Sequence, residues 1–321
     1  MSTETLHSLV LDGHGGCREA TAEEVAQGRS TEGLLWLHLD HSVDEASTWM
    51  RQRSGIDEVV VEALLAPSPR PRSLVSGAGL LVVLRGIHAR DGAEPDEMVS
   101  VRIWLEQDRC ITLRQRRLAA MTEVAGQLRA GHGPDDAGEL LHEITERLLD
   151  RIEDVVQGIE DRTDDLEERV LTAEGRQVRT QLSDLRRQSI ALRRYIAPQR
   201  DAIGRLHTER VPWMSELTRA RLRESSDRIT RYLETIDACR ERAAVTYEEL
   251  GNRLAEQMNH TMYILSVVAA IFLPLGLLTG LLGINVGGMP GADEPRAFAI
   301  VTVLLVVGGI AEWVWFKRRL F

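Results

Sequence analysis

Thr261–Leu282 reads TMYILSVVAAIFLPLGLLTGLL, 22 residues without a charge. As a helix rising 1.5 Å per residue it covers about 33 Å, enough for a hydrocarbon core of about 30 Å. The competing reading is a buried core helix, but runs this long and this free of charge belong to membrane spans. Downstream, Ala297–Phe316 reads AFAIVTVLLVVGGIAEWVWF, a second candidate of 20 residues. It carries Glu312, whose charge would cost about 2.5–3.5 kcal/mol at the bilayer centre. Glu312 lies four residues from the end of this run, so it reads as an interfacial group able to pair with Arg318 or Arg319. A proton relay is the lesser alternative. Trp313 and Trp315 supply an aromatic belt at the same end.

Charge sets the expected orientation. Lys317, Arg318 and Arg319 follow the second run directly, whereas the connecting segment carries Asp293, Glu294 and one arginine, Arg296. The positive-inside rule puts the C-terminus in the cytoplasm and the connection outside, which returns the N-terminal part to the cytoplasm as well. Two helices cannot enclose a pore, so a channel or transporter built this way needs several chains around one axis.

The remaining sequence is charged and water-compatible. The chain has 321 residues and a formal net charge of −10, which argues against a nucleic-acid partner. Lys317 is the only lysine among 39 basic residues, a bias that suits a GC-rich bacterial genome. Cys17, Cys110 and Cys239 are odd in number and far apart, in keeping with a reducing compartment and free thiols. Met1–Asp12 lacks a basic region followed by a long apolar run, so no signal peptide is expected.

Up to Gly133-Pro134 the chain mixes strands and helices. Leu6–Asp12 and Leu34–Leu39 read as half-buried strands, and Leu80–Ile87, Val99–Leu105 and Cys110–Leu113 as short apolar strands. Pro67, Pro69, Pro71, Gly77 and Gly79 punctuate the stretch between. Val43–Arg53, Asp57–Leu65 and Arg116–Ala130 read as helices. From Asp135 strand signals stop. Glu139–Val170 is a helix with Leu140, Ile144, Leu148, Ile152, Val155 and Ile159 on one face and carboxylates from Asp150 to Glu168 on the other. Glu174–His207 is a second helix, rich in arginine at 176, 179, 186, 187, 193 and 194. The two read as an antiparallel pair with complementary solvated faces; the sharper alternative is an acidic surface that gathers divalent cations. A third helix starts near Pro212 and runs unbroken into the first span. Continuous to Leu282, it would be about 105 Å long, a stalk that no globular core can contain. Pro274 would kink it or be tolerated in the bundle.

These segments divide the chain into an α/β domain (1–133), a helical stalk (134–260), a first span (261–282), an outer loop (283–296), a second span (297–316) and a basic tail (317–321). The loop opens with Gly283-Ile284-Asn285. Gly276 and Gly280 before it form a Gly-x-x-x-Gly pattern that permits close helix approach.

This layout resembles the CorA superfamily of divalent-cation transporters, whose signature triplet is Gly-Met-Asn. Ile284 in the middle position, with Met262-Tyr263, Ala270–Pro274, Gly280–Gly288 and Met289-Pro290-Gly291 around it, resembles the zinc-transporter (ZntB) branch. The resemblance covers the whole chain in layout and about Tyr247–Gly291 in sequence. It implies an α+β cytoplasmic domain of αβα build shaped as a funnel, long stalk helices, two C-terminal transmembrane helices, and a homopentamer in the bacterial inner membrane with both termini cytoplasmic. It also implies that the first span lines the pore and that Gly283, Ile284 and Asn285 form the selectivity filter, with Asn285 as the outer ring. Stepping back from Asn285 by five residues and then in threes and fours reaches Gly280, Gly276, Leu273, Ala269, Leu265, Met262 and Asn259, a candidate pore stripe. Ordinary helix packing is the alternative for its middle members.

Neither span contains Cys or His, the usual zinc ligands, so no dedicated inner-sphere metal site is expected. A cation would cross hydrated, its water shell held by oxygens of Asn285. Such a filter separates zinc poorly from nickel, cobalt, cadmium or magnesium. Asp293 and Glu294, repeated around a mouth, would concentrate cations, and Leu265 and Met262 could gate by dewetting. His260, beside Asn259, is a candidate proton-sensitive or transient metal site. His38 and His41 read as structural or surface residues. The resemblance further implies proton-coupled zinc uptake, the alternative being a magnesium, cobalt or nickel channel of the broader superfamily. A two-span membrane sensor is a third reading. No Walker, Gly-x-Ser-x-Gly or His-Glu-x-x-His motif is present, so neither an enzyme nor an ATP-driven pump is expected, and no cofactor beyond the transported cation.

Overall fold

The computed structural model describes residues 5–88, 98–172, 175–283 and 294–320. The chain divides into two compact units, residues 1–247 and 248–321.

The first unit is built on a seven-stranded mixed sheet. Its strands are β1 (Thr5–Leu11), β2 (Cys17–Glu19), β3 (Leu34–Asp40), β4 (Arg72–Ser76), β5 (Gly79–Ile87), β6 (Met98–Leu105) and β7 (Arg109–Arg114), in the order β2-β1-β3-β7-β6-β5-β4. Only β3 and β7 pair in parallel, with Leu37 opposite Ile111. Helices α1 (Ala22–Gln27), α2 (Asp44–Gln52) and α3 (Glu58–Leu65) share one core with the sheet, in which Leu35, Leu37, Leu81, Val83 and Ile111 meet Trp49, Met50, Val60 and Leu64. Helices α4 (Ala119–Arg129), α5 (Ala137–Thr172) and α6 (Gly175–Leu206) follow the last strand, and both α5 and α6 pack on the sheet. Gly86 on β5 lets the far side close, because a Cβ there would stand 2.4 Å from Leu148 Cδ2 of α5. Buried Gln199 of α6 accepts from the Arg85 backbone N–H at 2.6 Å and donates to the Arg85 carbonyl at 3.0 Å.

Cover on both faces corrects the expectation that Leu34–Leu39 is half-buried. All six residues are buried, because β3 is an inner strand between two helical layers. Three short elements lie where no strand or helix is expected. β4 is an edge strand just after Pro71, where a missing backbone donor harms no ladder. β2 pairs with β1 through three residues. α1 carries a capping box between Thr21 and Glu24. The three cysteines are free thiols.

The next helix, α7, spans Glu216–Leu282, 67 residues and about 100 Å at helical rise. It begins four residues later than Pro212 suggests, because the Ser215 hydroxyl accepts from the Thr218 N–H at 3.0 Å and caps the helix there. Among the described residues the acidic face of α5 pairs with arginines of α7 and not with those of α6, whose Arg176 side chain lies outside the described residues. Arg221 meets Glu139, Arg228 meets Glu146, Asp150 and Glu153, and Arg242 meets Asp164 and Glu167. The three anchors recur at multiples of seven residues, so one stripe of α7 lies along α5. From α6, Arg193 reaches Asp237 at 2.7 Å, and the Arg179 guanidinium both donates to the Tyr247 hydroxyl and lies 5.0 Å from its ring centre.

The second unit contains α7 from Glu248 onward and α8 (Ala297–Leu320). α8 continues four residues past Phe316, so Lys317, Arg318 and Arg319 belong to its last turn.

Candidate pore-lining face and the helical hairpin

Both helices of the second unit are long and apolar enough to cross a membrane. Their serine and threonine hydroxyls are satisfied within the helix. Thr261, Ser266, Thr279 and Thr302 each donate to a carbonyl one turn back, at 2.8–3.0 Å. That pattern lets polar side chains sit in an apolar medium without a second partner.

Packing separates two faces of α7. Tyr263, Val267, Ala270, Ile271 and Leu275 are half-buried and form one stripe. The matching stripe on α8 is Ala297, Val301, Leu305, Gly308, Gly309 and Glu312. The two helices meet where Gly309 faces Leu275: a Cβ on this glycine would lie 3.4 Å from Leu275 Cδ1. At 100° per residue the candidate pore stripe lies about 150° away on α7, on nearly the opposite side. Asn259, Met262, Leu265, Ala269, Leu273, Gly276 and Gly280 are all exposed; Met262 is 57 %, Leu265 61 % and Leu273 78 % accessible. Gly276 and Gly280 have no neighbour within 4 Å of a built Cβ, so the small residues that seat the hairpin are Gly308 and Gly309, which the sequence reading passes over. Their signal was a glycine pair set in the four-residue spacing of Val301, Leu305 and Gly309.

α7 ends at the candidate filter. The Gly283 N–H donates to the Thr279 carbonyl at 2.9 Å and to that of Gly280 at 3.2 Å, closing the last turn. Ile284, Asn285 and Asp293 lie outside the described residues. Glu294 is exposed, and its carbonyl accepts from the Ala297 N–H at 3.0 Å, opening α8. His260 is exposed beside Asn259. Glu312 forms no ion pair with Arg318, and the Arg319 side chain lies outside the described residues. Glu312 instead lies on the α7-facing stripe, with its Oε2 buried and unbonded.

Among the described residues no three His, Cys, Asp or Glu side chains converge as a metal site. His38 is fully buried in β3, with Nδ1 2.8 Å from the Thr112 hydroxyl and its ring stacked on His7 at 5.9 Å. Burial pushes its pKa down to about 3, with Arg114 adding to the effect, so it is a neutral core residue. His41 lies at the end of β3, half-buried, and desolvation lowers its pKa too. Arg102 on β6 is wholly inaccessible, and none of its guanidinium nitrogens has a hydrogen-bond partner among the described residues. Desolvation lowers it to about 10.

A soluble domain with a mixed sheet between helical layers, one very long helix, and a C-terminal apolar hairpin define a two-span membrane protein. Comparison with known families agrees. Residues 31–318 match the CorA-like Mg2+ transporter protein family. The divalent cation transporter CmaX of Pseudomonas aeruginosa is 41 % identical over 317 residues, 98 % of this chain and 95 % of the relative. The zinc transport protein ZntB of Yersinia enterocolitica is 36 % identical over 317 residues, covering 97 % and 94 %. The solved structure of full-length CmaX superposes with a TM-score of 0.85 at 40 % identity, over 98 % of this chain and 97 % of that one. This chain belongs to the CorA-like family, a family of transporters.

Proposed function

We propose that the protein is a homopentameric divalent-cation transporter of the bacterial inner membrane, with α7 lining the pore and both termini in the cytoplasm. The observation that carries the pore assignment is the division of α7 into two faces. One packs on α8; the other, from Asn259 to Gly280, is exposed, with nothing against it among the described residues, and becomes smaller toward its outer end. One chain cannot surround that face, and a ring of copies can. In this reading Asn285, held by Gly283 and the Ile284 peptide, accepts hydrogen bonds from the water shell of the ion. Asp293 and Glu294 raise the cation concentration at the mouth, and His260 is a proton-sensitive group at the cytoplasmic end.

Zinc is the cation we assign first, with proton-coupled uptake. The names of ZntB and CmaX support zinc and a divalent cation respectively, and Ile284 in the triplet supports the zinc branch. The absence of Cys and His from both spans favours passage of a hydrated ion, which leaves magnesium, cobalt, nickel and cadmium as competitors to be measured.

The test is flux into proteoliposomes loaded with metal and pH indicators, for zinc, magnesium and nickel, in wild type and Asn285→Ala. The proposal expects zinc entry with a pH change in wild type and a loss of at least tenfold in the variant. No divalent flux in wild type overturns transport, undiminished flux in Asn285→Ala removes that residue from the filter, and a monomer by mass in detergent overturns the pore.

A further inference from the structure

We infer that Glu312 is a protonation site inside the membrane hairpin, and that its protonated form donates a hydrogen bond to the Ala270 carbonyl. This rests on the transport reading only for its functional consequence. Two orphan acceptors carry it. Glu312 Oε2 is buried with no hydrogen-bond partner. On α7, Pro274 sits inside the helix and has no N–H, so the Ala270 carbonyl one turn back loses its helical donor. Ala270 is five residues before Leu275 and Glu312 three after Gly309, so both lie to the same side of the Leu275–Gly309 contact. Glu312 is one turn past Gly308 on the stripe of α8 that faces α7, and Ala270 is one turn before Pro274 on the half-buried stripe that faces α8. In an antiparallel hairpin these displacements run the same way along the membrane normal.

Two acceptors cannot satisfy one another. Adding one proton to the carboxylate removes a charge from an apolar region and turns one acceptor into a donor, so both are satisfied at once. Tyr263 is the only titratable side chain on α7 between Met262 and Leu282, two turns from Ala270. On α8 the charged neighbours are Lys317, Arg318 and Arg319, one to two turns on. Release of the proton would free the carbonyl at the proline and loosen the grip of α8 on the helix whose other face is the candidate pore.

Infrared difference spectroscopy of the full-length protein in liposomes, titrated across neutral and acid pH, reads the site directly. At neutral pH, where exposed carboxylates are ionised, wild type is expected to give a carboxylic-acid carbonyl band that is absent from Glu312→Gln. Pro274→Ala restores the N–H and is expected to shift that band to higher frequency. Persistence of the neutral-pH band in Glu312→Gln, or its absence from wild type, overturns the proposal; an unmoved neutral-pH band in Pro274→Ala overturns the Ala270 partnership. If Glu312→Gln does not fold, Glu312→Asp must shift the band, and an unchanged band overturns the assignment. In parallel, zinc flux should lose its pH dependence in Glu312→Gln while flux itself continues. Absence of flux in wild type would sink the transport reading and leave the infrared result standing.

Discussion

Gly309 of α8 faces Leu275 of α7 so closely that an added Cβ would sit 3.4 Å from Leu275 Cδ1. This contact fixes which side of α7 belongs to its own hairpin and which is left uncovered among the described residues. An alanine at 309 makes ordinary contact, but a leucine overfills the seam at a cost of about 1–3 kcal/mol. Gly309→Leu is therefore expected to lower the thermal midpoint in detergent and to reduce flux, while Gly309→Ala stays near wild type. Fluorescence-detected melting and proteoliposome uptake check both.

Arg228 joins α7 to α5 by reaching three carboxylates, Glu146 at 3.0 Å, Asp150 at 2.7 Å and Glu153, with Tyr232 also bonded to Glu153 at 2.7 Å. Isolated surface pairs contribute about 0–1 kcal/mol each, but a partly buried guanidinium shared by three acids leaves three like charges facing one another when removed. Arg228→Ala should destabilise the protein by about 1–3 kcal/mol. Arg228→Lys should recover part of that, because one ammonium cannot replace a fork. A midpoint unchanged in both variants would contradict this role.

Acid should weaken the soluble domain through His38. Its pKa is lowered from 6.5 to about 3 on folding, so the unfolded state binds a proton that the folded state refuses. This contribution is complete above the unfolded value and is lost as pH falls from about 6.5 toward 3, on the order of 3–5 kcal/mol in all. Burial lowers His7 and His142 in the same direction. Chemical denaturation as a function of pH should show a smaller acid loss in His38→Asn than in wild type.

Arg102 carries a buried charge with no hydrogen-bond partner among the described residues. Replacing such a group by an apolar chain of similar length is usually neutral or stabilising by about 1–4 kcal/mol. Arg102→Met should melt at or above the wild-type temperature; a clear loss would mean that the guanidinium has a partner in the assembled protein.

Much of this was legible in the sequence, for identifiable reasons. The charge-free run from Thr261 to Leu282 fixed the first span, and the apolar spacing of Leu140, Ile144 and Leu148 fixed α5. Composition does not reveal pairing between distant elements. Both α6 and α7 are rich in arginine, and among the described residues α7 supplies the partners of α5, because its seven-residue recurrence at Arg221, Arg228 and Arg242 matches the acidic stripe in space. β4 was hidden by Pro71 and two glycines, residues that an edge strand tolerates. Glu312 was read by its distance from the end of the span, whereas its angular position with Leu305 and Gly308 turns it toward α7. The pore stripe came from stepping along the helix, and its separation from the α8-facing stripe became visible only once burial was known.

Ala269 and Ala270 are adjacent in sequence and about 100° apart on α7, one on the exposed stripe and one half-buried toward α8. The most direct test of the pore assignment places a single cysteine at each in turn, in a background where Cys17, Cys110 and Cys239 are replaced by alanine. Zinc uptake by proteoliposomes is then measured before and after a cationic thiol reagent. The account predicts block at Ala269→Cys and little effect at Ala270→Cys. Block at Ala270→Cys with Ala269→Cys spared would contradict it.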